Sequence, residues 1–390
     1  MTADGRRALT RLAAGQPPDI ALAPQLMVGF DRALADWRAD LAGYIAGGGS
    51  LLRVVSAPAG SGKTHLARTL QAEAASAGYA VCQIDAAADH TDDDLALYRA
   101  FCTGLRCPAD IAEGRPDKGL SRVLRYIAVE GGAGSGVAGE EARRRCRLAG
   151  DVPVPSLAEY LPLLLEALRA ESAGILSRDR QTDLEVVLSL VAGEPVEGTR
   201  ALGRLRTKYG GPLVRALRKV PGKRDARLWL ETLLRLLPKL GFSGVLWVVD
   251  EHDQADPALL DRHIVQLRRL SDRLAEGRIV GVFAVYLVMD DFGTRIKQKH
   301  GALEQRLQPI LGASLTRRPL AMLEHLRAIE PEAFLRDLGQ RLYCLVESGP
   351  MPEALADHCR ARAKAASRLG GVDVRSFVQS VASQILDVVA

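Results

Sequence analysis

Residues 57–64 read Ala-Pro-Ala-Gly-Ser-Gly-Lys-Thr, and this octet constrains the chain more than any other feature. It matches Gly-x-x-x-x-Gly-Lys-Ser/Thr, with the small residue Ala57 in place of the first glycine. Gly60 and Gly62 let the backbone curl until its N–H groups converge on a single point. The helix expected from Lys63 to Ala77, ended by Gly78, adds its own free N–H groups and the positive end of its dipole. A turn of this kind fits a phosphate group. The flanking sequence has the required form, with an apolar β-rich run at Leu51–Val55 before the octet and an Ala/Leu-rich helix after it. The expected cradle is Ala57, Pro58, Ala59, Gly60, Ser61, Gly62, Lys63 and Thr64, with the next residue, His65. Lys63 bridges the β- and γ-phosphates of ATP in this reading, and the Thr64 hydroxyl binds Mg2+.

A second run, Val245-Leu246-Trp247-Val248-Val249, leads straight into Asp250-Glu251. A buried strand ending in two carboxylates suits hydrolysis: Asp250 holds Mg2+ through water and Glu251 polarises the attacking water. Taken alone, the pair is equally a solvated strand end; the phosphate loop upstream favours catalysis. The apolar run Ile279–Met289 is too short to span a bilayer and reads as a third buried strand. Asp290, just after it, either senses the γ-phosphate or closes a turn. Arg306 is a candidate catalytic cation that stabilises charge on the transferred phosphoryl group, in its own subunit or a neighbour's. Arg375 has the same standing, and both are otherwise ordinary surface arginines.

The rest of the sequence sets the frame. Among 390 residues, Lys and Arg exceed Asp and Glu by 52 − 47 = 5, an excess that permits a nucleic-acid partner without requiring one. Neither a secretory leader nor a membrane-spanning run is evident, so the expected location is cytoplasmic and no membrane partner is expected. Six cysteines form no Cys-x-x-Cys pair and read as buried thiols rather than metal ligands. Helices are expected over 6–14 and 31–46, then over 156–238, at 257–275, and from 320 to the end. Residues 111–150 read as irregular, with 131–139 the best candidate for a mobile loop. The basic cluster at Arg143, Arg144, Arg145 and Arg147 and the stretch Arg215–Arg227 suit either a phosphate backbone or a solvated helix face. The fold expected is an α/β, three-layer P-loop core. Residues 1–48 form helices packing near the nucleotide, 49–110 and 239–315 the core, 111–238 a mainly helical insertion, and 316–390 a C-terminal helical lid.

Several of these segments, in order, resemble the ATP-binding proteins of BREX phage-defence systems of the BrxD type. Those proteins are AAA+-like ATPases, a group that also includes origin-recognition and signalling NTPases. Arg6–Leu9 through Leu12–Pro17 resembles the family's opening helix and turn. Val28-Gly29 resembles an element that packs near adenine in the wider group. Tyr79–Asp85, Leu95–Ala100 and Leu105-Arg106 resemble the segment after the first helix. Gly241–Gly244 leading to Asp250-Glu251 resembles the acidic strand, Ala302–Leu307 the arginine motif, and Val374–Phe377 the lid helix. Ala57 and Val374 depart from the pattern, where the family has glycine and proline, and Val288 stands where it has a small polar residue.

The resemblance implies an AAA+-like sheet, ATP and Mg2+ as ligands, and Val28, Gly29 and Arg375 as nucleotide contacts. It implies a motor or switch acting on foreign double-stranded DNA with a helicase, nuclease or methyltransferase, and it admits a homo-oligomer. Two other readings stand beside it. A superfamily 2 helicase shares both acidic and phosphate-loop motifs, but few residues follow the acidic pair. A nucleotide-gated, non-enzymatic scaffold would need no Glu251.

Overall fold

The computed structural model describes residues 3–89, 91, 93–131, 136–194, 211–250, 257–308, 320–325, 331–367 and 374–389. Among these residues, six strands form one sheet: β1 (Ser50–Ser56), β2 (Ala80–Asp85), β3 (Leu105–Arg106), β4 (Val245–Asp250), β5 (Val282–Val288) and β6 (Ala321–His325). Their order is β3-β2-β4-β5-β1-β6. All neighbours run parallel except the short antiparallel β2–β3 pair. Every residue of β1, β4 and β5 is buried. Burial on both faces is why these strands are continuous apolar runs rather than alternating ones.

The helices are, in chain order, α1 (Ala3–Ala13), α2 (Ala23–Leu26), α3 (Asp31–Ala39), α4 (Lys63–Ser76), α5 (Asp94–Gly104), α6 (Pro108–Ala112), α7 (Leu120–Arg125), α8 (Gly139–Arg147) and α9 (Pro155–Ser172). After these come α10 (Arg178–Val191), α11 (Pro212–Ala216), α12 (Ala226–Lys239), α13 (Pro257–Ala275), α14 (Phe292–Lys299), α15 (Gly301–Leu307), α16 (Pro331–Cys344), α17 (Glu353–Ser367) and α18 (Val374–Val389). Helix α3 widens into a π-helix over Asp40–Ile45, and α7 does so over Tyr126–Glu130.

Three layers follow from the alternation along β1. Leu52 and Val54 join a large core with α5, α7, α9, α10, α12 and α13. Leu51 and Val55 face the other way, into a core with α3 and α4. A third core lies away from the sheet and joins the two ends of the chain: Leu9, Leu12, Leu26 and Val28 pack with Leu335, Leu338, Leu342, Phe377, Val381 and Ile385. The expectation of helices near residues 1–48 and 316–390 thus meets a single apolar cluster built from both.

Three expectations need correction. Residues 111–150 are not irregular: α6, α7 and α8 occupy much of the span, and Ile111, Leu120, Val123, Leu124, Ile127, Ala142 and Cys146 are buried. Their spacing is diluted by arginine and glutamate, which hid the periodicity. The expected mobile loop at 131–139 falls largely on residues 132–135, outside the described residues. Nor is the chain all helix after 320, because β6 pairs with β1 from Leu52↔Ala321 to Ser56↔His325 and carries the sheet past residue 315. The basic cluster on α8 is not a free cationic patch. Glu140 and Glu141 on the same helix, with Glu166 on α9, pair with all four of its arginines.

Among the described residues there is one sheet, with no counterpart to the second RecA-like domain of a superfamily 2 helicase. No described helix is long and apolar enough to cross a membrane.

Candidate functional site

The phosphate loop leaves β1 at the sheet's carboxyl-terminal edge, where ligand crevices of parallel sheets form. Its base is fixed to β5: Ala57 N–H donates to Val288 O (3.3 Å) and Ser56 Oγ to Met289 O (3.1 Å). Gly62 caps α4 with φ +94°, a left-handed value that a side chain would strain. The Lys63 ammonium is folded back into the loop, donating to the carbonyls of Ala57 (2.6 Å) and Pro58 (3.0 Å). A cation resting on two loop carbonyls marks the place where an anion would draw it outward. The Ser61 hydroxyl is buried without a hydrogen-bond partner among the described residues.

A cavity of about 680 Å3 opens over this loop. Its polar end is made by Ala59–His65, with Asp85, Asp250 and Met289 at the strand ends. Asp250 is 8% exposed and lies opposite Asp85 in the β2–β4 register. The rest of the lining is largely apolar: Leu26, Met27, Val28 and Phe30, with Phe334, Leu338 and Leu342 of α16 and Val374 and Val378 of α18. Anionic triphosphate at the loop and an apolar ring against the apolar lining match this division. A hydroxyl (Thr64) and a carboxylate (Asp250) at the same end are oxygen donors of the kind a hard divalent cation takes.

Two residues of α4 give the floor its character. His65 is largely enclosed, and its Nε2 has no hydrogen-bond partner among the described residues. Desolvation, then the neighbouring Arg68 charge, push its pKa down to about 4, against a backbone hydrogen bond at Ala23 that raises it, so the ring is neutral at pH 7. The Arg68 guanidinium, one turn further on, donates through Nη1 to Pro17 O (3.0 Å) and to Pro18 O, and ties the segment after α1 to α4.

The structure thus brings Val28, Ala59, Gly60, Ser61, Gly62, Lys63, Thr64, His65, Asp250 and Arg375 to one cavity. Arg375 sits in the first turn of α18. Ala57, Pro58 and Gly29 are not among the lining residues; Ala57 and Pro58 instead hold Lys63, and Gly29 takes a left-handed turn with φ +82°. Arg306 is also away from the cavity. It pairs with Asp272 of α13 and donates to Ala302 O within α15. Met289, rather than the exposed Asp290, reaches the cavity. Glu251 lies outside the described residues.

Sequence reasoning passed over Pro17, Pro18, Phe30, Arg68, Asp85 and Phe334, all of which line the cavity. Two had a readable signal. Arg68 stands four residues after Thr64, on the same helix face, and Asp85 ends a parallel strand, where such crevices lie.

Residues 2–124 match the family model described as BREX system ATP-binding protein BrxC/D. The matched segment contains α1, the phosphate loop, α4 and β2, and so one wall and the floor of the cavity. It supports the likeness to BREX ATP-binding proteins over that part of the chain and, covering C and D types together, does not separate them. No curated protein and no solved structure matches.

Proposed function

We propose that this chain binds Mg2+–ATP in the 680 Å3 cavity and hydrolyses it, as a nucleotide-driven switch or motor of a phage-defence system. The observation that carries the reading is the junction of phosphate loop, Asp250 and an apolar end in one cavity whose matched segment is described as ATP-binding. When bound, the metal nucleotide supplies the phosphoryl group and the cation that offsets its charge. Lys63 exchanges its two loop carbonyls for phosphate oxygens. Thr64 and Asp250 hold the cation, directly or through water, and the N–H groups of residues 60–65 surround the phosphates. Met27, Val28, Phe334 and Leu338 enclose the base. Glu251, next in sequence to Asp250, draws the proton from the attacking water.

The switch part of the reading rests on where the walls come from. One belongs to the sheet and α4, the other to the cluster of both chain ends, so a ligand in the cavity touches both. Arg306, held by Asp272 away from the cavity, serves a neighbouring copy in this reading rather than its own site.

Steady-state ATP turnover with Mg2+ is the direct test. Lys63→Ala and Glu251→Gln are expected to lower it by about 10²-fold or more. Glu251→Gln should keep nucleotide binding, measured by equilibrium titration, while Lys63→Ala weakens it. Wild type and Lys63→Ala turning over ATP equally would sink the proposal. A Glu251→Gln chain at wild-type rate would leave a binding scaffold instead.

A further inference from the structure

Positive charge is not spread evenly over this chain. Residues 211–227 hold six cations, Arg215, Arg218, Lys219, Lys223, Arg224 and Arg227, against the single acid Asp225, a net of 6 − 1 = +5. The net charge of all 390 residues is also +5, so outside these seventeen positions the chain balances to zero.

The structure turns this imbalance into a surface. Val214 and Leu217 are buried in the main core, and Val220 packs against it. The backbone is pinned as well: Leu213 N–H and Val214 N–H donate to the Asp183 carboxylate at 3.0 and 3.3 Å, and Tyr160 OH donates to Leu213 O at 2.9 Å. With an apolar anchor at every third position, Arg215, Arg218, Lys219, Lys223 and Arg224 are all left exposed. Arg227 is half-buried near Arg273 and does not join them. Compensation is thin. Arg218 reaches Glu159 at 3.6 Å and Lys219 reaches Asp225 at 2.7 Å, while Arg215, Lys223 and Arg224 have no ion pair among the described residues. The α8 cluster, equally basic in sequence, has every arginine paired with a glutamate. Five exposed cations on a pinned segment, three of them without a counter-charge among the described residues, suit a polyanion. Residues 211–227 contain no aromatic side chain on which an unpaired base would stack, which favours a duplex backbone over a single strand.

We infer that the exposed row Arg215–Arg224, pinned to the helical insertion, is a docking surface for the phosphate backbone of duplex DNA, without sequence preference. The inference stands apart from the nucleotide reading and is measured without ATP. Five contacts predict a slope of log affinity against log salt of about −4.5, or roughly a 500-fold loss between about 50 and 200 mM salt.

The test is fluorescence anisotropy on a mixed-sequence duplex, across a salt series, with the full chain. Replacing Arg215, Arg218, Lys223 and Arg224 together by Gln should flatten the slope to about −1 and weaken low-salt binding at least about 10²-fold. The charge-keeping set Arg215→Lys, Arg218→Lys and Arg224→Lys should bind as wild type does, and this separates lost charge from lost fold. Arg144→Gln, in the paired cluster, should change nothing. The inference is overturned if wild type does not bind duplex, if it prefers a single strand, or if the Gln set keeps the wild-type slope.

Discussion

At the scale of the residue, the loop's chemistry is that of a site at rest. Lys63 spends its charge on two carbonyls of its own loop, so it is positioned before any ligand arrives. His65 gives this scale its prediction. Its folded pKa is about 4, below the 6.5 of an exposed ring, so the unfolded chain takes up a proton that the folded chain refuses. Stability contributed by the neutral ring is complete above pH 6.5 and falls as pH drops toward 4, by about 3 kcal/mol. Urea midpoints at about pH 7 and pH 4.5 should therefore differ less in His65→Gln than in wild type. An equal difference in both would mean that the ring titrates normally. The residues of the loop were legible in the sequence because glycine and lysine at fixed offsets have few other uses. Arg68 showed only its helix face, four residues after Thr64; its tie to Pro17 and Pro18 was not legible, because hydrogen bonds to two distant carbonyls leave no spacing to read.

At the scale of the element, the strands that are buried on both faces were visible as unbroken apolar runs, and β1, β4 and β5 fall within a few residues of expectation. Strand β6 was hidden because it carries Glu324, and charge in a short run argues against a buried strand. Its reason lies across the ladder. Arg53 on β1 is fully buried, and its Nε lies 3.0 Å from Glu324 Oε1, with Asp40 of the π-helix at 3.9 Å. The two unusual charges, one in each strand, compensate each other, a pairing that neither segment announces alone. Removing one partner of such a pair strands the other without water. Glu324→Ala should thus lower unfolding stability by about 3 kcal/mol, read from denaturant midpoints. Arg53→Met with Glu324→Met should recover most of that loss, since an apolar pair of similar volume needs no counter-charge. Additive losses in the double variant would exclude the coupling.

At the scale of the whole molecule, the order of segments in the chain and their order in space disagree. Helix α1 belongs with α16–α18, more than 320 residues later, and the sheet lies between them in sequence. Helix periodicity in α1 and α18 could be read locally; that their apolar faces meet could not. Leu9 is fully buried in that shared cluster, so Leu9→Ala should cost about 3 kcal/mol. Hydrogen exchange is the measurement: protection should fall in 331–389 and hold in β2, β4 and β5. Loss confined to the sheet would refute the partition. The same joining of the ends has a consequence during synthesis. Helix α1 leaves the ribosome long before the surface that buries Leu9 and Leu12 is translated. At the usual elongation rates of about 5–20 residues per second, that interval is roughly 16–65 s. For that time an amphipathic helix waits unpartnered while β1, β2, β4 and β5 can already pair, and the apolar lining of the cavity from α16 and α18 is added only afterwards.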